Sequence, residues 1–154
     1  MSVRNDLYRE IILDHFKSPR NRGKLPQPAL KVEGANPLCG DEVELFLLEK
    51  DGALADVRIE THGCSISQAA ASMMTEVVKG LGLDAAEKLA GEFKEMMLGN
   101  GSQPVPEDFG DLEALEGVKK YPVRIKCALL AWNTLLEGIK ALREHKPAEQ
   151  VIME

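Results

Sequence analysis

The middle of the chain has apolar residues at every second position, with charged residues at most of the positions between them. The apolar members of this pattern are Val43, Leu45, Leu47, Val57 and Ile59. Successive side chains of a strand point to opposite faces, so the pattern predicts strands with one apolar and one polar face. Asp51-Gly52 lies between the two runs and is typical of a β-hairpin turn. Residues 31–63 are therefore predicted to form a short antiparallel sheet.

The sequence on either side of this sheet has helical spacing. The predicted helices cover residues 6–16, 69–79, 83–98 and 122–144, with a further short helix at 111–115. Residues 99–110 contain several glycines and prolines and are predicted to be a loop. A helix, a sheet and then more helices is the order of an α+β fold rather than of alternating βαβ units. We expect one domain, residues 1–154, in which about three strands pack against several helices.

Individual residues mark the ends of these helices. Pro19 stops the first helix, because the residue before a proline disfavours helical dihedral angles. Ser65 and Gln68 have the spacing of a capping box ahead of the helix at 69–79. Pro122 suits the first turn of the last helix. From Cys64 onward the chain is expected to be helical to its end.

Composition and charge narrow the classes of function. The 154 residues are 44% apolar and 29% charged, which is typical of a soluble globular protein. No apolar run approaches the roughly 20 residues that cross a bilayer, and the charged N-terminus lacks the apolar region of a secretion signal. We therefore expect a cytoplasmic protein without a membrane partner. The net charge of −6 argues against general binding of nucleic acid.

The chain has three cysteines, Cys39, Cys64 and Cys127, and an odd number excludes a complete set of intramolecular disulfides. In a reducing cytosol, separated cysteines indicate metal binding or catalysis. Cys39 and Asp41 are two residues apart, so in an extended segment both side chains can reach one ion. Gly40 between them lets the backbone bend. By itself this triplet is as compatible with chance as with a metal site.

Cys64 comes directly after a predicted strand and before a predicted helix. The N-terminus of a helix carries a partial positive charge, which favours the thiolate form that metals and sulfur chemistry require. The alternative interpretation is a small buried apolar residue at a strand–helix junction.

Cys127 lies in the last helix, outside the stripe that helical spacing predicts as the core face. That stripe consists of Ile125, Leu129, Trp132, Leu136 and Ile139. At about 100° per residue, Cys127 is turned about 200° from Ile125 and is predicted to lie away from the core. A helix buried on two sides remains the alternative. Arg124 is three residues earlier on the same side, where its charge would stabilise a thiolate.

Three thiolates and the Asp41 carboxylate are four donors of the kinds that zinc accepts, and structural zinc is usually tetrahedral. The cysteines are too far apart in sequence to fit the paired CxxC zinc fingers, so tertiary folding must assemble such a site. His62, two residues before Cys64, is a less favoured ligand because Asp41 already supplies a fourth donor. For His15 and His145 a structural or solvated role is favoured.

Taken together, these residues resemble the SufU branch of the IscU/NifU N-terminal family. The matching segments are Leu7-Tyr8, Asp14-His15, Pro19-Arg20-Asn21-Arg22-Gly23, Asn36-Pro37-Leu38-Cys39-Gly40-Asp41, Gly63-Cys64-Ser65-Ile66-Ser67, Ala71-Ser72-Met73-Met74 and Arg124-Ile125-Lys126-Cys127-Ala128-Leu129-Leu130-Ala131-Trp132. Scaffold proteins of the IscU type have a histidine just before the third cysteine, where this chain has Lys126. The segment between Cys64 and Cys127 is also longer here, as in SufU proteins.

The resemblance implies an IscU-like fold with Zn²⁺ bound by Cys39, Asp41, Cys64 and Cys127. It also implies a partner, a SufS-like cysteine desulfurase that carries pyridoxal phosphate, and downstream iron–sulfur assembly machinery. In that picture a desulfurase histidine replaces Cys39 at the zinc, and the freed thiolate accepts persulfide sulfur, with Arg124 as a nearby helper.

The function that the resemblance implies is that of a zinc-dependent sulfurtransferase. Two further functions are alternatives to it. One is a scaffold that binds iron or a nascent [2Fe–2S] cluster and delivers it to apoproteins. Lys126 argues against the scaffold, because a protonated lysine cannot ligate a metal. The other is a purely structural zinc domain, which Asp41 as a ligand and Arg124 beside Cys127 make less favoured.

Overall fold

The computed structural model describes residues 3–99 and 106–153 and confirms the predicted α+β fold. The helices are α1 (Val3–Lys17), α2 (Ser65–Val78), α3 (Leu83–Leu98) and α4 (Pro122–Glu144). The strands are β1 (Leu30–Asn36), β2 (Asp41–Lys50), β3 (Ala53–His62) and β4 (Val151–Ile152). A 3₁₀ segment, Glu107–Lys120, lies between α3 and α4 and is kinked at Gly110.

The sheet has the strand order β3-β2-β1-β4. β1, β2 and β3 pair antiparallel, as the alternating pattern predicts. Asp51 and Gly52 join β2 to β3, and both have positive φ angles (53° and 79°), as a type I′ hairpin turn requires. In the first hairpin Asn36 is paired with Asp41, which leaves a four-residue turn, 37–40, between β1 and β2.

The apolar face of the sheet is covered by α2 and α4, and α1, α3 and the 3₁₀ segment pack on the far side of these two helices. The buried strand residues include Val32, Leu45, Leu47, Val57 and Ile59. On the far side of α4, Trp132 stacks on Phe93 of α3 with ring centroids 5.0 Å apart. The core therefore lies on both sides of α4, which makes α4 the central helix of the domain.

Several predictions about single elements are corrected. The chain is not helical from Cys64 to its end, because β4 pairs in parallel with β1 at Gly34 and Ala35. The short helix predicted at 111–115 is part of the longer 3₁₀ segment, and residues 107–110 of the predicted loop belong to that segment as well. Residues 100–105 of the loop lie outside the described residues. α1 extends beyond the predicted helix at both ends.

Candidate metal centre

The four predicted ligands come from three elements that meet at one end of the sheet. Cys39 lies in the turn after β1, and Asp41 is the first residue of β2. Cys64 directly precedes α2, and Cys127 lies in the second turn of α4. The fold thus brings together residues that are far apart in sequence.

The donor atoms of Cys39, Asp41 and Cys127 all lie within 4.8 Å of one another. Cys64 lies at the edge of this group, with its Sγ 3.8 Å from Oδ2 of Asp41. In a tetrahedral zinc site, metal–ligand bonds of 2.0–2.3 Å put neighbouring donors roughly 3.5–3.8 Å apart. The structure therefore brings three of the four donors together, and Cys64 would have to turn toward Cys39 and Cys127 to complete a four-ligand site.

Asp41 is held by the backbone that precedes α2. Its carboxylate is buried, and Oδ1 accepts the Cys64 N–H at 2.8 Å. Gly63 makes this approach possible, because a Cβ there would lie 2.3 Å from Oδ1 of Asp41, and its φ angle is +127°. Oδ2 is left facing the cysteines. The local sequence at Gly63-Cys64 therefore orients the carboxylate of Asp41.

Cys64 itself caps α2, and this corrects the capping box predicted for Ser65 and Gln68. The Sγ of Cys64 accepts the Ser67 N–H at 3.4 Å, and Ser65 is the first residue of the helix. Gln68 donates from Nε2 to the carbonyl of Gly63 at 2.8 Å. The sulfur therefore faces the positive end of the helix dipole.

Cys127 is fully buried, so the favoured prediction that it lies away from the core is wrong, and the alternative of a helix buried on two sides is confirmed. The reason is that α4 is covered on two sides. The predicted stripe around Trp132 packs against helices, and a second stripe, which contains Leu130, Thr134 and Gly138, packs against the sheet. Cys127 continues this second stripe at its site end.

The pKa values of Cys127 and Arg124 are both raised at this centre, but for different reasons. Burial raises the pKa of the Cys127 thiol above its usual value, and hydrogen bonds with Asp41, Cys39 and Cys64 act in the same direction. Arg124 is exposed, and its pKa is raised by a hydrogen bond to Cys127 and by the charges of the three cysteines. A permanent cation therefore lies beside the three sulfurs, as predicted from its position in the helix.

Asn36, the last residue of β1, also contacts the centre. It is 1% exposed, and its Nδ2 donates to Oδ2 of Asp41 at 3.4 Å and to Sγ of Cys127 at 3.6 Å. No role of its own was predicted for Asn36 from the sequence. The feature of the sequence that could have indicated a role for Asn36 was its position directly before the turn that carries Cys39.

Cys39 is less buried than Asp41 and Cys127, and it borders an open groove of about 600 Å³. The side chains of Leu38, Tyr121 and Val123 are exposed by 67%, 61% and 53% along this groove. Lys120 and Arg124 add positive charge to it. Exposed apolar side chains close to a reactive group are typical of a protein–protein contact surface.

The histidines take no part in this centre. His62 is exposed and pairs across the strands with Glu42, and His145 ends α4 in the left-handed conformation. His15 is buried, with Nδ1 2.8 Å from Ser72 Oγ and Nε2 2.9 Å from Asp111 Oδ2. Its two ring nitrogens are thus both hydrogen-bonded, and His15 ties α1 to α2 and to the 3₁₀ segment.

The donor set fits zinc, since sulfur and carboxylate donors are ligands of the kinds that tetrahedral zinc sites use. Cys39, Asp41, Cys64 and Cys127 would hold the ion. The fold and the site thus define an α+β protein with a candidate cysteine–aspartate metal centre at one end of its sheet.

The sequence of residues 7–128 matches the protein-family model of the NifU-like N terminal domain, and the chain belongs to this family. It is 44% identical over 133 residues to the zinc-dependent sulfurtransferase SufU of Bacillus subtilis (strain 168), covering 86% of this chain and 89% of that protein. It is 40% identical over 140 residues to the iron–sulfur cluster assembly scaffold protein IscU of Streptococcus pyogenes serotype M1, covering 91% and 87%.

The fold is also found in a crystal structure of a nitrogen-fixing NifU-like protein (N-terminal) from Brucella abortus. That structure has a TM-score of 0.79 and 29% sequence identity, and the match covers 93% of this chain and 99% of that one. The resemblance to the SufU/IscU/NifU family is therefore confirmed. No helix in the described part of the chain is both long and apolar enough to cross a membrane.

Proposed function

We propose that the protein is a zinc-dependent sulfurtransferase of iron–sulfur cluster assembly that accepts sulfur on Cys39. The observation that carries the proposal is the difference between Cys39 and the other donors. Asp41 is fixed by the Cys64 N–H, Cys64 caps α2, and Cys127 is buried in α4. Cys39 lies in a four-residue turn at the edge of an open groove.

The sulfur donor in this proposal is a persulfide on a cysteine desulfurase. The Cys39 thiolate attacks the terminal sulfur of that persulfide, the S–S bond of the donor breaks, and the donor's cysteine leaves as a thiolate. Cys39 then carries the persulfide, so the oxidation level of the transferred sulfur is unchanged. Zinc, when bound, supplies positive charge that keeps cysteine ligands as thiolates, and it has no redox chemistry of its own.

The groove beside Cys39 supports docking of the desulfurase there. Its exposed apolar residues, Leu38, Tyr121 and Val123, offer area that a partner could bury. Arg124 interacts electrostatically with all three sulfurs, so its positive charge is placed to attract the anionic sulfur that the transfer step requires. We therefore propose Arg124 as the helper residue and Zn²⁺ as the resident ion.

The test is to react the zinc-loaded protein with desulfurase and L-cysteine and to map the persulfide by mass spectrometry. The persulfide should be found on Cys39, and Cys39→Ala should abolish stimulation of the desulfurase. Cys64→Ala and Cys127→Ala are the comparison variants, and they should fail through lost zinc and lowered stability. A persulfide found mainly on Cys64 or Cys127 would refute the role given to Cys39.

The alternative is a scaffold for a [2Fe–2S] cluster, and the relatives named IscU favour it. Metal analysis and the visible spectrum of anaerobically purified protein distinguish the two functions. Stoichiometric zinc in a colourless sample supports sulfur transfer. A brown sample with iron and sulfide supports the scaffold.

A further inference from the structure

We infer that Asn36 is a positioning residue of the metal centre, one that holds the side chains of Asp41 and Cys127 in place for the ion. The inference rests on the zinc site of the proposed function. Asn36 contacts three of the four candidate ligands. Its carbonyl accepts the Cys39 N–H at 3.2 Å, and its Nδ2 donates to Asp41 and to Cys127.

The orientation of the Asn36 carboxamide follows from the charges around it. Nδ2 is close to the carboxylate of Asp41 and the sulfur of Cys127, at 3.4 Å and 3.6 Å. Exchanging the two ends of the amide would put an oxygen against these groups, which repel it when they are ionised. The donor end therefore faces the ligands. Oδ1 is buried and has no hydrogen-bond partner within the described part of the chain.

This arrangement suits a role toward the ligands better than a role in packing. A buried amide oxygen without a partner is unfavourable, and a residue kept only for the core would be apolar. When a bound ion has displaced the proton of Cys127, the N–H groups of Asn36 reduce the repulsion between the Asp41 carboxylate and the Cys127 thiolate. Hydrogen bonds of this kind fix ligand orientation, and losing one typically weakens metal binding by about 10–100-fold.

The backbone places Asn36 accurately for this task. It is the last residue of β1 and the strand partner of Asp41, so the distance between them is set by the sheet. Cys127 belongs to α4, which packs on β1. Asn36 therefore joins a ligand of the sheet to a ligand of the helix.

The experiment measures metal binding rather than sulfur transfer. Zinc affinity is determined by chelator competition for the wild-type protein, Asn36→Ala, Asn36→Asp and the control Thr134→Val. Thr134 is also buried between β1 and α4, where its Oγ1 donates to the Leu130 carbonyl at 2.8 Å, but it contacts none of the ligands named above. Both Asn36 variants should bind zinc about 10–100-fold more weakly. Thr134→Val should bind it as the wild type does.

Cobalt substitution gives a readout that a packing role would not change. A hydrogen bond to a thiolate lowers the energy of its lone pairs, so its loss in Asn36→Ala should move the sulfur-to-cobalt charge-transfer band to longer wavelength. An unchanged band and unchanged zinc affinity in folded Asn36→Ala would overturn the inference. If neither variant folds, the inference is tested by NMR on the wild-type protein loaded with cadmium-113. Scalar coupling between the metal and the Asn36 amide proton is expected, and its absence overturns the inference.

Failure of the inference is distinguishable from failure of the proposed function. A wild-type protein that binds neither zinc nor cobalt stoichiometrically refutes the zinc site itself, and with it the inference. A wild type that binds zinc tightly, with an Asn36→Ala variant that binds it equally tightly, refutes only the role of Asn36.

Discussion

Gly34 of β1 lies where α4 comes closest to the sheet, and replacing it with alanine tests how tightly the two are packed. A Cβ at position 34 would lie 2.1 Å from Oγ1 of Thr134, 3.2 Å from Cγ1 of Val43 and 3.3 Å from Cδ1 of Leu130. The first distance is far below van der Waals contact. Thr134 is fully buried, and its hydroxyl donates to the Leu130 carbonyl. Gly34→Ala must therefore turn Thr134 or move β1 away from α4.

The expected cost combines two effects. Overpacking of a buried site costs about 1–3 kcal/mol, and loss of the Thr134 hydrogen bond adds about 1 kcal/mol. Replacing glycine with alanine also stabilises the folded protein by about 0.5–1 kcal/mol, because it lowers the conformational entropy of the unfolded chain. We expect Gly34→Ala to lower the free energy of unfolding by about 2 kcal/mol and the melting temperature by about 4–8 °C. Thermal unfolding followed by circular dichroism measures both.

Gly91 provides the matched control. It is exposed within α3, and a Cβ there would have no atom within 4 Å outside its own helix. Gly91→Ala should stabilise the protein by about 0.5–1 kcal/mol, because alanine is the better helix former. Opposite signs for the same chemical change at positions 34 and 91 would show that the contact with α4, rather than glycine itself, decides the result.

The double variant Gly34→Ala/Thr134→Ala tests the contact directly. Removing the Thr134 hydroxyl makes room for the new methyl group, so the double variant should be at least about 1 kcal/mol more stable than the two single changes predict together. Additive effects, or a melting temperature of Gly34→Ala within 1 °C of the wild type (roughly the 0.5 kcal/mol that separates additive from coupled sites), would refute the reasoning.

Two further predictions concern the metal. Chelation of zinc should lower the melting temperature by many degrees yet leave a folded protein, because the apolar core around Trp132 and the sheet extends far beyond the candidate ligands; complete loss of helical circular dichroism at 25 °C after metal removal would contradict this. Lys126→His should retain more cluster absorbance after reconstitution with iron and sulfide than the parent or Lys126→Ala, since it offers an imidazole ligand beside Cys127; equal absorbance in all three would show that this position does not separate scaffold from transferase.

Local signals in the sequence were sufficient for most of the fold. The alternation around Leu45 and the Asp51-Gly52 turn predicted the β2–β3 hairpin, because both depend on neighbouring residues. Pro122 and Leu83 marked helix starts that the structure confirms. β4 could not be predicted in this way. It has only two residues, and its pairing with β1 arises from the return of the chain to the sheet edge after α4.

The candidate ligands that the sequence predicts lie near one another in the structure, but their surroundings were harder to predict. A single apolar stripe is the expected pattern for a helix that is covered on one side, and this assumption put Cys127 outside the core. α4 is instead packed between the sheet and the other helices, so its second face is buried as well. The role of Cys64 as the cap of α2 was hidden because Ser65 is the more usual capping residue. Both errors come from tertiary packing that a local pattern does not contain.

The same packing supports the proposal that the centre holds an ion and releases Cys39 from it. β2 starts at Asp41 and runs into the core at Leu45, and α4 carries Cys127 and, five residues later, the buried Trp132. Asp41 and Cys127 are therefore held by elements that are packed into the core. Cys39 takes its position only from the turn 37–40, closed by two backbone hydrogen bonds. Moving Cys39 away from the other donors disturbs that turn alone, whereas moving Cys127 would disturb the packing of α4 on the sheet.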